Sequence, residues 1–157
     1  MQSNRSRDTK PELALRRQLH ALGPRDRERA RPIPEVRRTA DIVLRPARVD
    51  VEVRGWFWHG CPEHYRAPSA NSGYWADKVQ QNRRRDTENG QRVRDEGWIL
   101  ISIWGHVDPS EASQRIAVIV RKRRQSIKVA PKGSSALVRC EPASLSICRL
   151  NALIKIL

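Results

Sequence analysis

The sequence predicts an α/β domain in which a small mixed sheet is flanked by helices. Three patterns lead there. Residues 49–54 (Val-Asp-Val-Glu-Val-Arg) alternate between apolar and charged side chains, the period of a strand with one face in a core. Residues 98–104 (Trp-Ile-Leu-Ile-Ser-Ile-Trp) are almost continuously apolar, as in a central strand covered on both faces. Stretches with apolar residues at helical spacing surround them, so the elements follow the order α-β-β-α-β-α.

Taken in order, Thr9-Lys10-Pro11-Glu12 has capping-box spacing, with Pro11 in the first turn where its missing N–H costs nothing. Ala14, Leu15, Leu19 and Leu22 then repeat at helical spacing until Gly23-Pro24 stops the helix, which is expected over 9–22. Arg25 to Arg38 is basic and interrupted by prolines, an irregular connection with room for one edge strand. Ala40-Asp41-Ile42-Val43-Leu44 and Val49 to Arg54 read as two strands joined at Arg45-Pro46-Ala47-Arg48. If they pair as a hairpin, Asp41 comes within reach of Glu52.

Residues 65–73 are a loop by composition, and a helix is expected from Tyr74 to about Glu96, closed by Gly97. At ~100° per residue, Trp75, Val79, Asn82, Asp86 and Val93 fall on one stripe. Two polar groups on an inward stripe need partners, supplied either by a structural hydrogen bond or by a functional site. Asp108-Pro109-Ser110-Glu111 opens a last helix with Ile116, Ile119 and Val120 inward, expected to end at Arg121-Lys122-Arg123-Arg124. That basic run is either a solvated helix end or a phosphate contact. The domain is thus expected over 1–124, and 125–157 as a poorly ordered or unrelated tail with a short helix at Leu150–Leu157.

Composition narrows the function. The chain has 157 residues, enough for one core, with a net charge of +14. Such a surplus draws polyanions, and tryptophan-rich loops beside arginine clusters favour nucleic acid over a membrane surface. No apolar run is long enough to cross a bilayer, and the opening residues lack a signal-peptide core. Cys61, Cys140 and Cys148 form no secretory framework, so a cytoplasmic, nucleoid-associated and monomeric protein is expected.

Chemistry concentrates after the hairpin. Asp41 and Glu52 beside Arg54 offer oxygen ligands for a divalent cation and positive charge for a phosphodiester. Cys61-Pro62-Glu63-His64 has C-x-x-H spacing, and His106 after the apolar strand can add a third ligand suited to zinc. A fourth would have to come from water or a tail cysteine. His59 need not belong to that set and can face the acidic residues instead. Phe57 and Trp58 are either core or a surface for DNA bases.

These residues carry a resemblance. Gly55-x-Phe57-Trp58-His59-Gly60-Cys61-Pro62-x-His64, then Pro68-x-x-Asn71-x-x-Tyr74-Trp75-x-x-Lys78-x-x-x-Asn82-x-x-Arg85-Asp86, then Gly97-Trp98 and Trp104 resemble the very short patch repair (Vsr) DNA mismatch endonuclease family. Arg7-Asp8-Thr9-x-x-Glu12 and Asp41 also fit, so the resemblance spans roughly residues 1–124.

It implies a restriction-endonuclease-like fold of the PD-(D/E)xK type and magnesium-dependent nicking of double-stranded DNA beside a T·G mismatch. Asp41 and the backbone carbonyl of Val53 would hold the magnesium ion. His59, oriented by Asp86, would act on the water or leaving group, with Glu12 supporting the site. Glu52-Val53-Arg54 resembles the E-x-K element with arginine for lysine, which leaves Arg54 an electrostatic role, because a guanidinium is a poor proton acceptor.

Phe57 and Trp58 would form the wedge beside the mismatched pair, with Lys78, Asn82 and Arg85 along the DNA. Met1 stands where the family has a second wedge residue, so the arm that precedes it in the family is expected to be missing. Trp56 stands where the family commonly has a zinc cysteine, leaving Cys61, His64 and His106. Mismatch-repair proteins are the expected partners. The alternatives are a restriction- or defence-type nuclease of the same fold, or a DNA-binding module without turnover.

Overall fold

A computed structural model describes residues 8–24, 27, 28, 30–34, 38–129 and 154–156, with 27, 28, 129 and 154–156 described by backbone. Helix α1 spans Lys10–Ala21. Strands β1 (Arg27–Glu28) and β2 (Ile42–Leu44) follow, and a 3-10 turn at Arg45–Ala47 leads into β3 (Val49–Arg54). Helix α2 (Ser72–Asp95), strand β4 (Ile99–Trp104), helix α3 (Pro109–Val129) and strand β5 (Ile154–Ile156) complete the order.

The strands form one mixed sheet in the order β1-β2-β3-β4-β5. All neighbours are antiparallel except β3 and β4, which run parallel. A parallel pair needs a crossover, and α2 supplies it. The fold is the α/β, restriction-endonuclease-like core that the sequence predicts, with its small mixed sheet between helices. The hairpin register pairs Ile42 with Val51, so Asp41 falls opposite Glu52 as expected. Arg48, at φ 51°, turns the chain between the two strands.

Alternation along the strands gives the sheet two unlike faces. Val49, Val51, Ile101 and Ile103 meet Leu15 and Leu19 of α1 and Ile116 and Val120 of α3 in one dry cluster. The opposite face, under α2, has a smaller apolar cluster of Ile33, Val93 and Leu100. The same face carries Val43 and Trp104 together with the polar residues Asp50, Glu52, Arg54 and Ser102.

Three expectations about helices are corrected. Thr9 precedes α1, but its hydroxyl donates to the Glu12 carboxylate at 2.8 Å and does not cap a backbone N–H. The last helix does not end at Arg121–Arg124. No glycine or proline follows until Pro131, and α3 runs on to Val129. Within the basic run, Arg123 donates to the Gly97 carbonyl at 2.8 Å and so closes the α2–β4 turn. A short helix over Leu150–Leu157 is replaced at Ile154–Ile156 by a strand, which completes the backbone pairing of β4. Of the tail expected over 125–157, residues 125–129 continue α3 and 154–156 form β5, and 130–153 and 157 lie outside the described residues.

Candidate active site

Three loop-and-helix contacts build the site on the polar face of the sheet. After β3 the chain turns tightly through residues 55–64. Asn82 Nδ2 donates to the Trp58 carbonyl at 2.9 Å, and Arg83 Nη2 donates to the Gly60 carbonyl at 2.6 Å. Gly60 has φ +62°, and a Cβ there would stand 2.5 Å from the Arg83 guanidinium and 2.7 Å from Val79. Only glycine lets the loop press this closely onto α2.

The third contact is between His59 and Asp86. Nδ1 of His59 lies 2.7 Å from Asp86 Oδ2, with both side chains largely buried. Burial pushes the Asp86 carboxyl up, but the His59 hydrogen bond and the charges of His59, Arg54 and Arg85 outweigh it and hold it below its ordinary value. With Nδ1 given to Asp86, Nε2 is the ring nitrogen left to meet a substrate. The two polar residues of the α2 stripe, Asn82 and Asp86, thus both face the loop.

Asp41 lies at the foot of β2. Its Oδ2 accepts the Val53 backbone N–H at 2.8 Å. Desolvation pushes its carboxyl up to about 6, and the neighbouring Glu12 and Glu52 carboxylates add to the rise. Anions crowded and desolvated at one point are what a bound cation relieves, so Asp41 fits a divalent ion with oxygen ligands.

Glu52 is more heavily engaged. Arg38 bonds its Oε1, while Arg54 (3.1 Å) and Ser102 (3.2 Å) donate to its Oε2. Arg38 also donates to Asp50 at 2.6 Å, and Asp50 is completely buried. Burial pushes the Asp50 carboxyl up to about 6 even though Arg38 opposes the shift. Glu52 therefore organises guanidinium groups, with its carboxylate already shared among three donors. Among the described residues Arg54 Nε has no hydrogen-bond partner. The Arg54 side chain as a whole is 16% exposed, so the accessible part of its guanidinium can meet a phosphate oxygen.

The aromatic residues separate into support and surface. Phe57 contacts Trp56, Trp58, Tyr65 and Trp75 at ring-centroid distances of 5.2–5.9 Å. Trp58 (37% exposed) and Trp56 (51% exposed) present their rings to solvent. Lys78 and Arg85 lie exposed on α2, with Arg85 reaching Asn82. Met1 lies outside the described residues.

Beyond the loop, the ligand atoms of Cys61, His64 and His106 all lie within 4.8 Å of one another. Cys61 Sγ stands 3.6 Å from His64 Nδ1. With Zn–S and Zn–N bonds of about 2.3 and 2.05 Å, a tetrahedral site sets those atoms about 3.6 Å apart, so the cluster fits zinc. Desolvation and the adjacent His64 lower the His106 pKa, which favours the neutral ring that a metal ligand needs.

Strand alternation placed Asp50 on the Glu52 face without giving it a partner, and sequence reasoning missed Arg38, Arg83 and Ser102. Ser102 was recoverable by the same alternation, since it also shares the Glu52 face. Arg38 and Arg83 were hidden among many arginines, and no local pattern distinguishes them.

Comparison with known proteins shows the family. Residues 1–64 match the family model described as DNA mismatch endonuclease Vsr. Type II nicking enzyme V.NaeI of Lentzea aerocolonigenes is 40% identical over 114 residues, which cover 71% of this chain and 69% of that protein. Type II nicking enzyme V.NmeDIP of Neisseria meningitidis serogroup C is 34% identical over 130 residues, 82% and 83% of the two chains. DNA mismatch endonuclease Vsr of Escherichia coli (strain K12) is 26% identical over 65 residues, 41% and 42% of the two. The chain belongs to the Vsr family of DNA endonucleases.

Proposed function

We propose that this endonuclease nicks one strand of duplex DNA beside a T·G mismatch, in very short patch repair. The observation that carries the reading is a continuous charged path on one sheet face. It runs from Asp41 past Glu52 and Arg54 to Asp86 and His59, and joins a cation site to a proton-transfer pair.

Asp41 and the Val53 carbonyl would hold a magnesium ion, which when bound supplies positive charge at the scissile phosphate and acidifies water. His59 Nε2 moves a proton at the attacking water or the leaving oxygen, and Asp86 fixes the ring and its tautomer through Nδ1. Arg54 neutralises phosphate charge without exchanging protons. Glu12, held by Thr9, keeps negative potential at Asp41. Cys61, His64 and His106 would hold a structural zinc ion that ties the His59 loop to the turn after β4.

Trp58 enters beside the mismatched pair, backed by Phe57 and Trp75 and held by Asn82. Unstacking costs a few kcal/mol and costs least at a mismatch, so a supported wedge itself favours such sites. Lys78 and Arg85 meet phosphates on the α2 side.

The test is magnesium-dependent nicking of an end-labelled duplex carrying one T·G pair, beside its matched twin, with wild type and Asp41→Ala. A nick in the mismatched duplex alone, lost in Asp41→Ala, is the expected result. Equal cleavage of both duplexes would turn the reading to a restriction-type nuclease. Tight binding without cleavage under any divalent metal would leave a DNA-binding module.

A further inference from the structure

Zinc at Cys61, His64 and His106 is one ligand short, and we infer that the carboxylate of Glu63 is the fourth. This rests on the zinc reading above. Trp56 cannot contribute: its indole has no metal-binding lone pair, and its ring contacts Phe57. Glu63 lies between two ligands in Cys61-Pro62-Glu63-His64, and its Oε2 stands 3.8 Å from His106 Nε2.

That separation is too long for a hydrogen bond. It is close to the ~3.4 Å edge that a nitrogen and an oxygen ligand adopt around tetrahedral zinc. Glu63 lies outside the 4.8 Å that encloses the three other ligand atoms, but its side chain is half exposed, so a torsional change of that solvent-facing arm is what brings the oxygen to the ion. Charge agrees with geometry. One thiolate and two neutral imidazoles leave a divalent ion with a surplus positive charge, in a chain already at +14. A carboxylate cancels it.

Glu63 would thus be a structural ligand that joins the loop carrying His59 to the turn after β4. Neighbouring His64 and His106 come from these two segments, and their rings lie 4.2 Å apart.

The full chain is loaded with zinc, and its affinity is measured by competition with a chromophoric chelator. Cobalt replaces zinc in a parallel sample for the visible spectrum. Wild type should take up one zinc ion and show the intense bands of four-coordinate cobalt. Glu63→Gln should hold zinc about 100-fold more weakly, as loss of a ligand implies, and give an altered cobalt spectrum. Cys61→Ser should lose zinc altogether, whereas Cys140→Ser with Cys148→Ser should behave as wild type.

Unchanged affinity and spectrum in Glu63→Gln would overturn the assignment while leaving a zinc centre with another fourth ligand. Loosening in the tail-cysteine variant, with none in Glu63→Gln, would hand the position to a tail thiolate. Failure of wild type to take up zinc would overturn the centre itself. Circular dichroism of each apoprotein separates metal loss from misfolding.

Discussion

The two faces of the sheet are made from the same strands and do opposite things. Toward α1 and α3, Val49, Val51, Ile101 and Ile103 pack against Leu19 and Ile116 in an apolar cluster, with the buried charges of α1, Glu12 and Arg16, outside that cluster. Toward α2, residues one step along the same strands are Asp50, Glu52, Arg54 and Ser102, joined to Arg38 and to the His59–Asp86 pair. The dry face supplies stability through burial. On the α2 face, the desolvated carboxylates of Asp41 and Asp50 sit above their ordinary pKa, a cost in stability that the dry face does not carry.

The sharpest way to break this contrast is to remove one group from the polar face and look for lost activity in an intact fold. Asp41→Ala should lower nicking by about 10³-fold or more, since it removes the cation's carboxylate. Asp86→Asn should lower it by about 10²–10⁴-fold by freeing the His59 ring. Both should keep wild-type circular dichroism. Near-wild-type rates for either, in single-turnover nicking assays, would remove that residue from the chemistry.

Arg38 is the expected exception on that face. Arg38→Ala leaves Asp50 buried beside Glu52 without its cation, and should cost about 3–5 kcal/mol in urea unfolding. Ile116→Ala, on the dry face, should cost about 2–5 kcal/mol while nicking per folded molecule stays unchanged. Lost activity in Ile116→Ala at full folding would mean that the two faces are not separable.

A smaller effect sharpens the comparison through pH. Asp41 titrates near 6 when folded, above its ordinary 3.8, so the folded state binds the proton more tightly. Its contribution therefore becomes less favourable as pH rises from about 4 to about 6, and the full cost remains above that window. Asp41→Asn should raise stability at neutral pH by about 1–3 kcal/mol and change little at pH ~4. Magnesium should raise the melting temperature of wild type at neutral pH and not that of Asp41→Asn. Asp86 has the opposite sign: its contribution is present above the unfolded pKa and is lost as pH falls through its lowered folded pKa. A variant no more stable than wild type at neutral pH would contradict the strain assigned to Asp41.

The smallest effect is expected at the DNA surface. Trp58→Ala should reduce the preference for a mismatched over a matched duplex by about 1–3 kcal/mol, with little change in folding stability. Preference unchanged in competition nicking would move the wedge to Phe57 or Trp56.

Much of this was legible in one dimension because strands and helices have fixed periods. Alternation in Val49–Arg54 placed three charges on one face, and the α2 period placed Asn82 and Asp86 inward beside Trp75 and Val79. Asp41 opposite Glu52 followed from pairing the two strands as a hairpin. The motifs of the His59 loop carried the family resemblance. Local rules also set the starts of α1 and α3, where Pro11 and Asp108 occupy positions that only helix entrances favour.

Tertiary structure decided what depends on long-range pairing. Which arginine among many neutralises Asp50 was settled by the approach of Arg38 from a segment with no regular period. Whether residues 154–156 form helix or strand was settled by the unpaired edge of β4, which gives the backbone of Ile154-Lys155-Ile156 its partners. The approach of Glu63 to His106 likewise joins two turns separated by α2 and β4. Sequence periodicity reports the face a residue occupies, whereas the identity of its partner depends on how separate elements dock.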